Sequence, residues 1–346
     1  MRKLKRICFI VSALFGFQSI ALAAPKEIKV LTDRTDFHLK PLFKKFEEIT
    51  GVRVDAAFVD KGLLPRLETR PSEPDLVITK DAELMVLANE KKLLTPFKSA
   101  SIDKRIPVEF RSKDHAWLGL SYRARVIYYS RDRVKPEELS TYENLADPKW
   151  KGRVCIRPGT DDYNLNLFSQ MLEDLGEQKL KTFLQGLKAN LAVRPQGNDR
   201  EQAKNIFEKK CDVAVANTYY MGIMLSEPKQ RDWAAATRIF FPNQQAGGTY
   251  ILMSAAGLTK ANRDIKSATK LLEFLTEELA QDHMSQVTFE YALKPFGDLP
   301  PIVQSFGAEQ PGIENGVFKK KLIPLEKIAK NRDIVVRLLN EVKFDE

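Results

Sequence analysis

The chain has 346 residues, with 55 Lys+Arg against 46 Asp+Glu, 3 His and 3 Cys; 43% of it is hydrophobic and 29% charged. That balance excludes a collagen-like, disordered or multi-span membrane protein, and so few His and Cys exclude an all-cysteine zinc site or a disulfide scaffold. The length fits two domains better than one.

The first six residues hold Arg2, Lys3, Lys5 and Arg6, and an apolar run of 17 residues follows, 7–23. It ends in Ala21-Leu22-Ala23, a small-x-small pattern. A basic start, a short apolar middle and a small-residue exit predict a secretory signal peptide cleaved near Ala23. The run is short for a bilayer span of about 20 residues. Cys8 lies near its start, away from a lipid-attachment position. Cleavage takes four positive charges from the formal +9 and leaves +5. So modest and dispersed a charge argues against a nucleic-acid partner. Cys155 and Cys211 remain in the exported chain. Both lie at strand-like segments in an oxidising compartment, so one bridge and two separate buried thiols are both open.

Strand and helix signals then alternate. Residues 28–31 read as a strand. Residues 39–49 carry Leu39, Leu42, Phe43 and Phe46 at a helical period, and Gly51 stops that helix. Residues 52–56 and 76–78 read as strands, and 84–94 as a helix. The order predicts an open, mostly parallel α/β sheet. Residues 117–129 form a long strand-like stretch, a candidate crossing between lobes. A second series follows: strand 153–156, helices 165–175, 179–187 and 201–209, strand 212–216. Segments 239–241 and 250–254 carry the chain back, and 259–279 reads as one helix. Two α/β lobes joined by crossing strands enclose a cleft, and such sheets bind ligands beyond the carboxyl ends of their strands.

The chain contains no G-x-S-x-G, H-E-x-x-H, Walker A or G-x-G-x-x-G pattern, so an enzyme is not expected. His38, His115 and His283 are scattered. Tyrosine is the distinctive feature. Asn217-Thr218-Tyr219-Tyr220 follows directly on the apolar segment 213–216. Phenolate oxygen is a hard anionic donor suited to a hard, highly charged cation such as Fe(III). Ionising a phenol at neutral pH requires displacing a proton, which the cation's charge drives. Tyr163, in Asp161-Asp162-Tyr163-Asn164, stands just before a predicted helix, where anionic groups are favoured. Arg123 and Arg125 alternate onto one face of the crossing stretch and form a candidate anion grip. Arg34, after the first strand, is positioned to join them.

These residues make the chain resemble the periplasmic ferric-iron-binding proteins of ABC importers. The resemblance runs through most of the exported chain: residues 121–154 (SYRARVIYYSRDRVKPEELSTYENLADPKWKGRV), 162–168 (DYNLNLF), 211–222 (CDVAVANTYYMG), 239–250 (IFFPNQQAGGTY) and 270–281 (KLLEFLTEELAQ). It implies a two-lobed α/β fold of the type II periplasmic-binding class, with a central cleft and crossing hinge strands. The N-terminal lobe would hold residues 24–120 plus about 249–300, and the C-terminal lobe about 121–248 plus 301–346. Tyr219 and Tyr220 match the family's paired iron-ligating tyrosines, Tyr163 a further tyrosine ligand, and Arg123 an arginine near the iron or its anion. Relatives commonly carry Y-S-S-R-H-Y after the first strand, and here the segment is Leu31-Thr32-Asp33-Arg34-Thr35-Asp36. Arg34 is kept, while Thr35 and Asp36 replace His and Tyr. Asp36, a hard oxygen donor, becomes the N-lobe candidate. Tyr250 stands where relatives often carry His.

The resemblance therefore implies a monomeric periplasmic solute-binding protein for Fe(III), with a synergistic anion such as carbonate. Its partners would be an inner-membrane ABC permease and its ATPase. The alternative is a protein of the same fold that grips an anionic or organic solute with its cleft arginines.

Overall fold

The computed structural model describes residues 26–293 and 299–346. The signal-peptide features and the cleavage position near Ala23 lie outside the described residues.

The first half opens with β1 (Glu27–Thr32), α1 (Asp36–Thr50), β2 (Arg53–Phe58), α2 (Leu63–Thr69), β3 (Leu76–Thr79), α3 (Glu83–Glu90), β4 (Leu94–Thr95) and α4 (Ala100–Arg105). Helix α1 buries the periodic Leu39, Leu42, Phe43 and Phe46. It ends at Gly51, whose φ of 68° is the left-handed geometry that glycine adopts without a Cβ penalty. The chain then enters β5 (Trp117–Ser130), fourteen residues long, followed by β6 (Val154–Cys155), α5 (Asp162–Leu175), α6 (Glu177–Ala189), α7 (Asp199–Phe207) and β7 (Val213–Asn217). Next come α8 (Tyr219–Ser226), α9 (Arg231–Ala235), β8 (Thr237–Phe240) and β9 (Thr249–Thr259). The last elements are α10 (Ile265–Leu275), α11 (Glu278–Thr288), β10 (Tyr291–Ala292), α12 (Pro301–Gln304), β11 (Lys320–Lys321) and α13 (Leu325–Glu341).

The main sheet path runs β2-β1-β3-β9-β5-β7-β6. Along it, only β2-β1-β3 and β6-β7 pair parallel; β9 and β5 run antiparallel to their neighbours. The sheet is mixed, a correction to the mostly parallel expectation. Two strands that cross between lobes enter each lobe against its own strand direction.

One hydrophobic core collects Ile28 through Leu120 and then Ile251 through Leu293. Two further clusters, beginning at Ala124 and Ile127, hold the rest, including Val335, Leu338 and Leu339 of α13. Strand β5 thus changes cores between Leu120 and Ala124, and β9 between Tyr250 and Ile251. Helix α13 rests on both sides, since Leu325 and Ala329 pack against the first core.

Two helix expectations are corrected. Residues 84–94 split, because Lys92 takes a left-handed φ of 56° and Leu94 pairs with Thr259. Residues 259–279 also split. Thr259 still belongs to β9, Asp264 caps α10 by accepting from Ser267 N at 3.0 Å, and Thr276 and Glu277 separate α10 from α11.

Candidate functional site

Three tyrosines meet in the second lobe, carried by two chain segments. Asp161 caps α5, its Oδ1 accepting from Tyr163 N at 3.0 Å, so the helix starts at Asp162, earlier than expected, and Tyr163 lies inside its first turn instead of before it. Strand β7, buried throughout, ends at Asn217, and α8 begins at Tyr219. Both groups therefore sit at the positive end of a helix. Tyr163 Oη and Tyr219 Oη are 3.3 Å apart, and the Tyr219 and Tyr220 rings lie 4.1 Å apart. Tyr163 and Tyr219 are each 8% exposed, while Tyr220 is half-buried. Burial, and then the neighbouring phenols, push the Tyr163 and Tyr219 hydroxyls well above the ordinary tyrosine range. Without a cation they are neutral phenols.

Arginines surround this group. The guanidinium carbons of Arg157, Arg123 and Arg125 lie 4.9, 5.3 and 5.9 Å from the centre of the Tyr163 ring. Arg123 and Arg125 occupy the point where β5 leaves β9 for β7: Arg123 pairs with Leu252 and Arg125 with Asn217. Each is tied down. Arg123 donates to Asp81 Oδ1 at 2.8 Å and to the carbonyl of Lys80. Arg125 donates to Asp199 Oδ2 at 2.6 Å and to Asn164 Oδ1 at 2.7 Å. Burial and Glu83 push the Asp81 carboxyl up, against the pull of Arg123.

The two lobes touch beside the tyrosines. Asn166 Nδ2, on the tyrosine-bearing helix, donates to Glu83 Oε2 at 2.8 Å. Arg332 of α13 bonds Asp162 and Glu83 together. A cavity of about 290 Å³ opens beside this contact, lined by Asp33, Lys80, Asp81 and Glu83, by Asp162, and by Arg332 of the bridging helix α13.

The other expected residues fall elsewhere. Asp36 is exposed in the first turn of α1 and accepts from Lys40 Nζ at 2.8 Å; it is not brought to the tyrosines. Arg34 is buried, but it donates to both carboxylate oxygens of Glu290, at 2.8 and 3.0 Å. Tyr250 is buried against Tyr142 and donates to Asp174 Oδ2 at 2.7 Å, a structural position in the second core. Cys155 and Cys211 are joined in a disulfide, with 5.9 Å between their Cα atoms. Among the described residues, no group of three or more His, Cys, Asp and Glu gathers to hold a metal. Arg157, Asp81 and Asp199 are absent from the expected set. Arg157 and Asp81 each stand two residues beyond a strand's carboxyl end, the placement that singles out Tyr219.

The profile described as bacterial extracellular solute-binding protein matches residues 72–305. Iron uptake protein A1 of Synechocystis is 35% identical over 322 residues, which cover 91% of this chain and 87% of that protein. Among solved structures, Mannheimia haemolytica ferric iron-binding protein A in an open conformation superposes with a TM-score of 0.83 at 39% identity, covering 93% of this chain and 99% of that one. A Trichodesmium protein in complex with iron and citrate ligands gives a TM-score of 0.84 at 30% identity, covering 92% and 99%. The two-lobed fold is shared with these ferric-binding proteins. The chain belongs to the bacterial extracellular solute-binding protein family.

Proposed function

We propose that this protein captures ferric iron in its interlobe cleft and delivers it to an inner-membrane ABC permease and its ATPase. The phenolate oxygens of Tyr163, Tyr219 and Tyr220 are the proposed ligands. One observation carries the reading: buried hydroxyls from chain segments 56 residues apart converge to 3.3 Å at two helix N-termini. The relatives named for iron uptake and ferric binding support the choice of cargo.

Three phenolates balance the charge of Fe(III), which leaves coordination positions for water or an anion such as carbonate. Arg123 and Arg157, beside Tyr163 and themselves paired with Asp81 and Asp199, would balance part of the charge such an anion adds. Asp36 is left out of the donor set, because its carboxylate is exposed and turned to Lys40. The lobes, divided near Leu120 and Tyr250, would close about β5 and β9 as a hinge. We read the protein as a periplasmic monomer, exported by the signal peptide that ends near Ala23.

The alternative, an anionic or organic solute gripped by cleft arginines, has less support. Arg34, Arg123 and Arg125 are already paired with Glu290, Asp81 and Asp199. Equilibrium dialysis of the exported chain against ferric citrate tests the assignment, beside a thermal-shift panel of oxyanions and organic acids. One equivalent of retained iron is expected, with no comparable shift from iron-free solutes. Saturable binding of an iron-free anion, with no iron retained, overturns it.

A further inference from the structure

The two tyrosine-bearing segments are joined behind the site through one carboxylate. Asp199 opens α7, but the helix is capped by its neighbour: Asn198 Oδ1 accepts from Arg200 N and Glu201 N, and the Glu201 carboxylate in turn accepts from Asn198 N. The Asp199 side chain is therefore free to point inward, and the residue has no exposed surface. Its Oδ2 accepts from Arg125 at 2.6 Å and from the backbone N–H of Asn217 at 2.8 Å. Its Oδ1 accepts from Arg157 at 3.2 Å.

Each partner leads to the site. Asn217 lies two residues before Tyr219. Arg157 and Arg125 lie against the Tyr163 ring. The second arm of Arg125 reaches Asn164, the neighbour of Tyr163, and Asn164 Nδ2 in turn donates to the carbonyls of Arg157 and Pro158. A closed circuit thus runs from Tyr163 through Asn164, Arg125, Asp199 and Asn217 to Tyr219. A buried carboxylate survives only when paired and hydrogen-bonded, and here all of its partners belong to the tyrosine site.

We propose that Asp199 is a positioning residue for the iron site: it sets the separation of Tyr163 from Tyr219 and holds Arg125 and Arg157 beside Tyr163. The inference rests on tyrosine ligation of iron and extends it to a residue that touches no iron. Replacing the carboxylate by an amide puts an N–H₂ group against guanidinium or backbone donors, so one contact of the circuit opens.

The test uses the exported full chain, titrated with ferric citrate and read by visible absorption and by melting of the apo form. Wild type, Asp199→Asn, Arg125→Lys and Asp212→Asn are compared. Asp212 is the matched control, since it pairs with Arg133 and Arg153 at the opposite end of β7. Asp199→Asn is expected to weaken ferric binding at least ~10-fold, as outer partners of metal ligands do, and to move the tyrosinate-to-iron charge-transfer maximum. Asp212→Asn is expected to lower the melting temperature and leave that maximum in place. If Asp199→Asn does not fold, Arg125→Lys carries the test, because lysine keeps the charge and cannot reach Asp199 and Asn164 together. A wild-type band with unchanged wavelength and affinity in the folded variant overturns this inference alone. No band in wild type overturns the ligation reading, and this inference with it.

Discussion

Glu290 joins the structure at its hinge. It is buried just ahead of β10 and accepts two hydrogen bonds from Arg34 and one from Ser121. Ser121 of β5 is also hydrogen-bonded to Ser254 of β9 at 2.5 Å. One carboxylate therefore ties the segment after β1 to the crossing strands. Burial alone would raise its pKa. The charges of Arg34 and Arg123 and the bonds from Arg34 and Ser121 outweigh that, and hold it at about 2 against an ordinary 4.5. A folded-state value below the unfolded one stabilises the protein above pH 4.5, and that stabilisation is lost as pH falls toward 2. The difference corresponds to about 3 kcal/mol. At neutral pH, Glu290→Gln leaves the Arg34 guanidinium buried without its counter-charge, a loss of about 3–5 kcal/mol. Urea unfolding of the apo protein, followed by circular dichroism from pH 7 to pH 2.5, reads both effects. The variant should be less stable at pH 7 and should lose about 3 kcal/mol less than wild type on acidification. A variant within about 0.5 kcal/mol of wild type at pH 7, or one with the same acid dependence, refutes this account of the hinge.

Other expectations concern the site and its frame. Each ligating phenol gives up a proton, so apparent ferric affinity should fall by up to ~1,000-fold per pH unit below neutrality if all three ligate; competition titrations that show a flat profile contradict phenolate ligation. Asp36→Ala should change ferric affinity less than about 2-fold in the same titration, and a large loss would restore Asp36 to the donor set. Replacing Cys155 and Cys211 with alanine opens a cross-link spanning 56 residues, which by loop entropy costs about 4 kcal/mol; urea unfolding under oxidising conditions measures it.

Much of this site was legible because it follows a positional rule. Tyr219 and Tyr220 come two and three residues after the end of a buried strand, and Tyr163 two residues after the Asp161 cap, so the local sequence singles out all three. Gly51 and the Leu39-to-Phe46 period likewise located α1. What escaped depended on long-range partners. Arg34 reads as a cleft cation until Glu290, 256 residues away, is brought against it. Asp199 does not stand out in the sequence, because nothing local says that Asn198 takes over the cap of α7 and leaves the Asp199 carboxylate facing inward. The split of 259–279 was hidden because its apolar residues keep a helical period while the chain is still leaving β9.

Phenolate ligation of iron, as proposed, gives the protein a visible colour. The direct measurement is the visible spectrum of the exported protein titrated with ferric citrate, for wild type and for Tyr219→Phe/Tyr220→Phe. A charge-transfer band that saturates at one equivalent in wild type and is lost in the double variant is expected. A band of equal intensity in the variant, or no band in wild type at saturating iron, would contradict phenolate ligation.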